Sequence, residues 1–500
     1  RMGQISENLQ NTLVFLFTNC RNWGIIKKYV DPVAGCGAVF LHPTRWQYHV
    51  ALCRIVENLP LFQTNEKARR RLFMFFSESD VTEFIEDNDV KFIRLTFCDT
   101  LGAMKNIAIL PRELPRAIAY GIPFNATGLL EEQHQNLLLK PECTTLSVLP
   151  WRPQSGRVVR FFCNLMTMDG KPYAGDLRQN LRNTMREIEE NDYQCQIATR
   201  CEFYLFKTDV EGNPTREPYD QGGYLDIAPL DKCENTRREI CLSLEEMGLN
   251  PTSSCHKHGP GQNEIDFACS NPLTAADNMM HYKTVVKTIA AQNGLYASFM
   301  PKPLPNQNGS ALKINIIVRK HGENIFGSCP EDMTPEGKSF IAGILNRICG
   351  FTLFANPIVN SYERLQLHTA PGRVNWSSEN RVPLIRLMYV PGGDAIIEVR
   401  SADAYCNPYI TFQMLLRAGM EGIHHQEQLK EEWDAANVTT VFQKLPTSLE
   451  EALQMARESE FVKAYLPNAI LHDFFQKTEQ QIQAVSEAED AQAYSYHHFF

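Results

Sequence analysis

The sequence predicts an α+β fold, and three observations carry the prediction. Apolar residues recur at every second position in several separate stretches, helical stretches fall in groups between them instead of following each strand in turn, and no internal repeat is present. Five hundred residues, 43% hydrophobic and 21% charged, exceed what one ordinary core needs, so more than one domain is expected. The first regular stretch is Val90 to Phe97, alternating as a half-buried strand. The turn residues Asp99 to Gly102 follow, then Lys105 to Leu110, which together read as a hairpin. Further strands are expected at Arg157 to Met166, Cys195 to Lys207, Glu264 to Phe267, Lys313 to Arg319 and Ala395 to Arg400. Helices are expected at Leu177 to Asn191, Asn235 to Met247, Ala275 to Ala291, Pro335 to Cys349, Pro408 to Glu421 and Leu449 to Glu458, the last behind a Thr447 or Ser448 cap.

Charge separates the chain into parts. The net charge of −9 argues against a general nucleic-acid binder, which needs a basic surface for phosphate. Residues 1–74 run against that trend, with ten Lys/Arg against four Asp/Glu, and hold Trp23, Trp46 and the run Arg69-Arg70-Arg71. This segment is expected to be an atypical basic extension, and no function is assigned to it. Residues 479–500 are rich in Gln, Ala and acids, which suggests a helix followed by a tail. Fifteen cysteines without a C-x-x-C pair suit reduced thiols in a cytoplasmic protein. The apolar run Thr12 to Thr18 is too short to span a bilayer, so no membrane partner is expected.

The common nucleotide, hydrolase and zinc-protease signatures are missing from the sequence. Polar clusters remain at strand ends: Cys201-Glu202-Phe203, His256 to Glu264, Asn308-Gly309-Ser310 and Glu398-Val399-Arg400. Three acids on mostly apolar strands are the kind of set that gathers at a Mg²⁺ and phosphate site. Spacing alone, however, favours three surface carboxylates.

Specific motifs go further. Arg94 to Asp99, Pro150-Trp151-Arg152-Pro153, Gly259 to Phe267, Phe299 to Pro303, Asn360 to Arg364 and Asn407-Pro408-Tyr409 resemble type I glutamine synthetase, in register from about Ser77 to about Pro467. The resemblance implies a β-grasp domain over 77–172, a glutamine synthetase catalytic-type domain of antiparallel strands and helices over 173–478, and a tail over 479–500. It also implies a ring-based dodecamer with each site shared between one subunit's small domain and its neighbour's large one. The implied reaction joins glutamate to ammonia through γ-glutamyl phosphate, with ATP and two Mg²⁺ or Mn²⁺ ions.

Position by position, the resemblance places Glu202, Glu264 and Glu398 at metal-ligand positions. It puts Arg364 at the glutamate carboxylate, Arg381 and Arg400 on the phosphate side, Asn308 and Gly309 in the substrate loop, and Tyr224 in the ammonium pocket. The departures fall in the same place. Arg200, Lys257 and Lys313 stand where the family has Glu, Glu and His ligands, and Cys255 replaces the first of two histidines. Thr369 stands for the flap glutamate, Asn125 for the ammonium aspartate, and Ile396 for a basic nucleotide contact. Six family ligands sum to −5, whereas the six residues here sum to zero. A metal ion would meet three resident cations with half its ligands gone. The expectation is a synthetase-like protein without bound cofactors, catalytically impaired or inactive, with a structural or regulatory role. It would assemble as a homo-oligomer or with an active glutamine synthetase. The alternative is an active ATP-dependent ligase joining glutamate to ammonia or another amine.

Overall fold

A computed structural model describes residues 78–130, 136–152, 155–367, 370–390, 393–433 and 442–488. The basic segment 1–74, Thr369 and the final twelve residues of the expected tail lie outside the described residues. Two sheets organise the rest. The first contains β1 (Val90–Cys98), β2 (Met104–Ile109), β3 (Ile122–Asn125), β4 (Asn136–Pro141), β5 (Ser147–Val148) and β6 (Arg157–Thr167), in the order β2-β1-β6-β4-β3 with β5 beside β6. β1 and β2 form the expected antiparallel hairpin. Gly102 closes it at φ +90°, where a Cβ would come within 3.0 Å of the Asn407 Cα. β1 and β6 run parallel.

The second sheet contains β7 (Tyr193–Thr208), β8 (Pro214–Pro218), β9 (Pro251–His256), β10 (Gln262–Phe267), β11 (Leu295–Ser298), β12 (Leu312–Lys320), β13 (Glu323–Asn324), β14 (Trp376–Ser377), β15 (Ile385–Tyr389) and β16 (Ala395–Val399). Its main path is β14-β15-β16-β12-β7-β10-β9. Side chains alternate between faces along each strand. On one face Cys201, Phe203, Ile265, Ile314, Ile316, Ile397 and Val399 join a single buried apolar cluster with Met279, Tyr282 and Val286 of the helix Pro272–Gln292. The opposite face carries the polar residues described below.

The six expected helices are present, with ends shifted by a few residues. The helix Leu449–Glu458 is capped by Ser448, whose side chain accepts from the Glu451 amide. The helix Pro335–Ala355 runs six residues past the expected end at Cys349. The added turns contain Phe351, Leu353 and Phe354, all fully buried, so no polar stripe marks a stop. Nor does the chain leave helix at 479, since Asn468–Glu487 is one continuous helix. The expected tail boundary is corrected accordingly: a run rich in Gln, Ala and Glu lacks the Gly or Pro that would end it.

The helices Pro335–Ala355 and Pro408–His424 cross through glycines. A Cβ on Gly343 would stand 2.2 Å from the Ala418 carbonyl oxygen, and one on Gly422 would stand 2.1 Å from that of Ser339. A polar seam joins the two sheets' surroundings. Arg178 binds Glu142 beside β4 and Asp277 on the Pro272–Gln292 helix, at 2.5 and 2.8 Å, and Tyr409 donates to Asp277 at 2.7 Å. Nearby, Arg160 of β6 meets Nδ1 of the buried His281 at 2.9 Å.

Candidate functional site

Strand register gathers the residues that the sequence scatters. Glu264 of β10 lies opposite Glu202 of β7, and Asp266 opposite Arg200. On the other side of β7, Lys313 of β12 also lies opposite Arg200. Glu398 of β16 lies opposite Asn315 of β12, and Arg386 of β15 opposite Glu398. Directly opposed residues share a face, so these side chains all project from one side of the sheet. Lys257 follows the end of β9 and reaches the same place.

The three acids are held by three cations, Arg200, Lys257 and Lys313. Lys313 Nζ lies 2.5 Å from Glu264 and 3.0 Å from Glu202, and Lys257 Nζ lies 3.2 Å from Glu264 and 3.5 Å from Glu202. Arg200 donates to Glu264 at 2.9 Å and reaches Asp266 and Glu398 at 3.2 and 3.7 Å. Arg400 supplies a second cation to Glu398 at 3.4 Å. Burial alone would raise the Glu264 carboxyl, but Lys313, Arg200 and Lys257 outweigh it and bring its pKa down to about 2. Burial works against charge on Lys313 too, and Glu202 with Glu264 overcomes it, holding the ammonium firmly protonated.

Around this lattice opens a cavity of about 450 Å³. Asn308, Gly309, Tyr224, Arg364, Arg381 and Arg400 all line it. Gly309 is needed there: a Cβ would stand 2.5 Å from both the Arg364 Cγ and the Pro301 carbonyl oxygen. Arg364, only 3% exposed, is fixed by the Asn356 side chain at 3.1 Å and by the Ser401 carbonyl. Tyr224 stacks on His258 with ring centres 4.4 Å apart, and Lys257 Nζ sits 5.3 Å from the Tyr224 ring centre. Burial, then Lys257, lowers the His258 pKa, which favours the neutral ring.

One expected position stands elsewhere. Asn125 ends the edge strand β3, is exposed, and folds its side chain back onto the Thr127 amide at 3.0 Å, so it is not part of the cavity wall in this chain. Thr369 is outside the described residues. Cys255 lies opposite Glu264 in the β9–β10 pair, and Ile396 precedes Glu398 by two on β16. Sequence reasoning missed Arg386, which lines the cavity, and gave no role to His258, which lines it too, or to Asp266, which binds Arg200. Arg386 was legible only if Ile385 to Tyr389 had been taken as a strand paired with β16.

The metal question can be put to the geometry. The oxygens of Glu202, Glu264 and Glu398 face ammonium and guanidinium nitrogens, not a shared empty point. At ~4 Å and an effective dielectric of ~20, each resident cation would repel a divalent ion by about 8 kcal/mol. The residues present therefore do not fit the two-ion arrangement. Among the described residues, one other group of ligand-type side chains comes together: Asp220, Asp231, Cys233 and His256. Its atoms are already engaged. Asp220 accepts from the amides of Gly222, Gly261 and Lys232, from Cys233 and from His256. Asp231 is paired with Arg237 through both oxygens. His256 bonds the Lys257 carbonyl through Nδ1 and Asp220 through Nε2. Burial opposes its protonation, but the bonds to Asp220 and to the Lys257 carbonyl prevail and raise its pKa.

Residues 174–496 match the glutamine synthetase catalytic domain, and residues 89–168 match the glutamine synthetase beta-grasp domain. The curated glutamine synthetase of Methanosarcina mazei is 40% identical over 412 residues, covering 78% of this chain and 90% of that protein. That of Staphylococcus aureus is 38% identical over 418 residues, covering 80% and 93%. Among solved structures, the electron cryomicroscopy structure of Plasmodium falciparum glutamine synthetase superposes with a TM-score of 0.74 at 20% identity, covering 85% of this chain and 99% of that one. Ligand-free GmaS superposes at 0.75 with 24% identity, covering 82% and 97%. The chain belongs to the glutamine synthetase family.

Proposed function

We propose that this chain is a glutamine synthetase-fold protein that has exchanged its metal sites for internal ion pairs and has lost efficient ligase activity, keeping a structural or regulatory role. The observation that carries the reading is the contact of Arg200, Lys257 and Lys313 with Glu202, Glu264 and Glu398. An ammonium group cannot polarise two phosphoryl oxygens at once or impose octahedral geometry, so these cations are poor substitutes for ions that position a transferring phosphate. In this reading the protein assembles into rings, with itself or with an active synthetase. The place of Asn125 supports subunit sharing: it stands on an exposed sheet edge, away from its own chain's cavity.

The retained arginines, Asn308 and Gly309 around one cavity favour a second reading, in which ATP, Mg²⁺, glutamate and an amine are still used. One assay separates the two. Phosphate release is measured with glutamate, ATP, Mg²⁺ and ammonium or small amines, for the native chain and for a variant carrying Arg200→Glu, Lys257→Glu, Lys313→His, Thr369→Glu and Asn125→Asp. The proposal expects a silent native chain and turnover in the variant. Native turnover abolished by Glu398→Ala would establish the ligase instead.

A further inference from the structure

We infer that a second pocket, separate from the cation-lined cavity, binds a small monocarboxylate with an apolar body. The pocket encloses about 400 Å³, within the size range of small-molecule sites. Leu365, Leu367, Val382, Trp433, Leu445 and Pro446 make its walls largely apolar. Backbone pairing closes one side: the Val374 amide donates to the Gln443 carbonyl at 2.8 Å, and the Leu445 amide donates to the Gly372 carbonyl at 3.1 Å. Between those two bonds, Arg373 lies directly opposite Lys444. A pair flanked by such bonds, and not itself hydrogen-bonded, brings its side chains closest together. Both of these side chains line the pocket.

Like charges directly opposed across a strand pair are destabilising, and an anion between them removes the cost. The protein supplies none here. Among the described residues, no Asp or Glu lines the pocket and neither Arg373 nor Lys444 has a carboxylate partner. Other polar side chains of the wall are turned to protein. Gln366 donates to the Thr447 carbonyl at 3.1 Å, the Thr447 hydroxyl donates to Glu451 at 2.9 Å, and Asn375 accepts from the Leu384 amide at 3.1 Å. The guanidinium and the ammonium are the charged donors left to a ligand, and they match the two oxygens of one carboxylate. A dicarboxylate would press its second charge against an apolar wall, which is costly. An α-amino acid would bring an ammonium group for which the lining offers no carboxylate. A monocarboxylate on an aromatic or branched body meets both demands, with its charge between Arg373 and Lys444 and its body against Trp433 and the leucines. Leu367, Ala370 and Pro371 line this pocket and the larger cavity alike, so the ligand stands behind a shared wall.

The test is calorimetric titration of the full chain with 3-phenylpropionate and, separately, with the uncharged 3-phenylpropanol, with tryptophan fluorescence followed alongside. The acid is expected to bind about tenfold more tightly than the alcohol, and to change the fluorescence of the native chain far more than that of Trp433→Phe. Arg373→Gln and Lys444→Gln, both at exposed positions that do not endanger folding, should each lower affinity for the acid about tenfold. Arg381→Gln, in the larger cavity, should leave it unchanged. Lys444→Gln should also raise the Tm of the ligand-free chain, because it relieves the opposed charges. Equal affinity for acid and alcohol, unchanged affinity in both pocket variants, or no binding at millimolar concentration would overturn the inference. Binding lost in Arg381→Gln but kept in Arg373→Gln would put the carboxylate in the larger cavity and overturn it too. None of these outcomes depends on whether the chain retains ligase activity.

Discussion

Glu264 is the residue on which the candidate site turns. It is 1% exposed and touches Arg200, Lys257 and Lys313, so its charge is paired within the fold. Glu264→Gln leaves Arg200, Lys257 and Lys313 short of one anion and is expected to cost about 3–5 kcal/mol in chemical denaturation. The pH dependence follows from the same contacts. The folded pKa lies near 2, below the ordinary 4.5, so the stabilisation is complete above pH 4.5 and is lost as pH falls toward 2. That loss amounts to about 3 kcal/mol, and Glu264→Gln should remove it from the stability profile. The identities at this site were readable from the motifs that flank them, whereas Asp266 and Arg386 were not. Arg386 stands in none of those motifs, and each of the two matters only through a cross-strand neighbour.

At the level of elements, the helix crossing at Gly343 and Gly422 sets a second expectation. Alanine in a helix is favoured over glycine by up to ~1 kcal/mol. Here the added methyl would press against backbone that cannot rotate aside. Gly422→Ala should therefore destabilise by about 1–3 kcal/mol, read from the denaturation midpoint. The seam at Arg160 and His281 predicts a different pH window. Burial, with Arg160 and Arg178 nearby, keeps the His281 pKa well below 6.5. Its contribution is full above pH 6.5 and falls below that, by at most about 1.4 kcal/mol per pH unit, and His281→Asn should flatten this slope. The long alternating strands and proline- or serine-started helices were legible because each carries its own period and start signal. β4, β9 and β15 were not. Asn136–Pro141 is short, Pro251–His256 is a polar edge strand, and Ile385–Tyr389 has charge and apolar bulk out of step. The helix Val359–Leu365 has only seven residues, too few for a helical period.

For the whole molecule, the ion-pair lattice predicts stability indifferent to metal. A divalent ion resident at a hundredfold excess over its Kd would add about 2.7 kcal/mol. Thermal unfolding with EDTA and with millimolar Mg²⁺ should instead coincide, and a rise in Tm with Mg²⁺ would show an ion bound to the folded chain. Among the described residues no helix is long and apolar enough to cross a membrane. By itself, the sequence determined the α+β class, most of the long elements and the family. These are properties of local period and of residue identity at motif positions. Only the tertiary structure decided that Arg200, Lys257 and Lys313 meet Glu202, Glu264 and Glu398. It also brought Arg386 and Asp266 to the same face. Those outcomes depend on the register of β7, β10, β12, β15 and β16, whose residues are far apart along the chain and are brought within 4 Å only by pairing and burial.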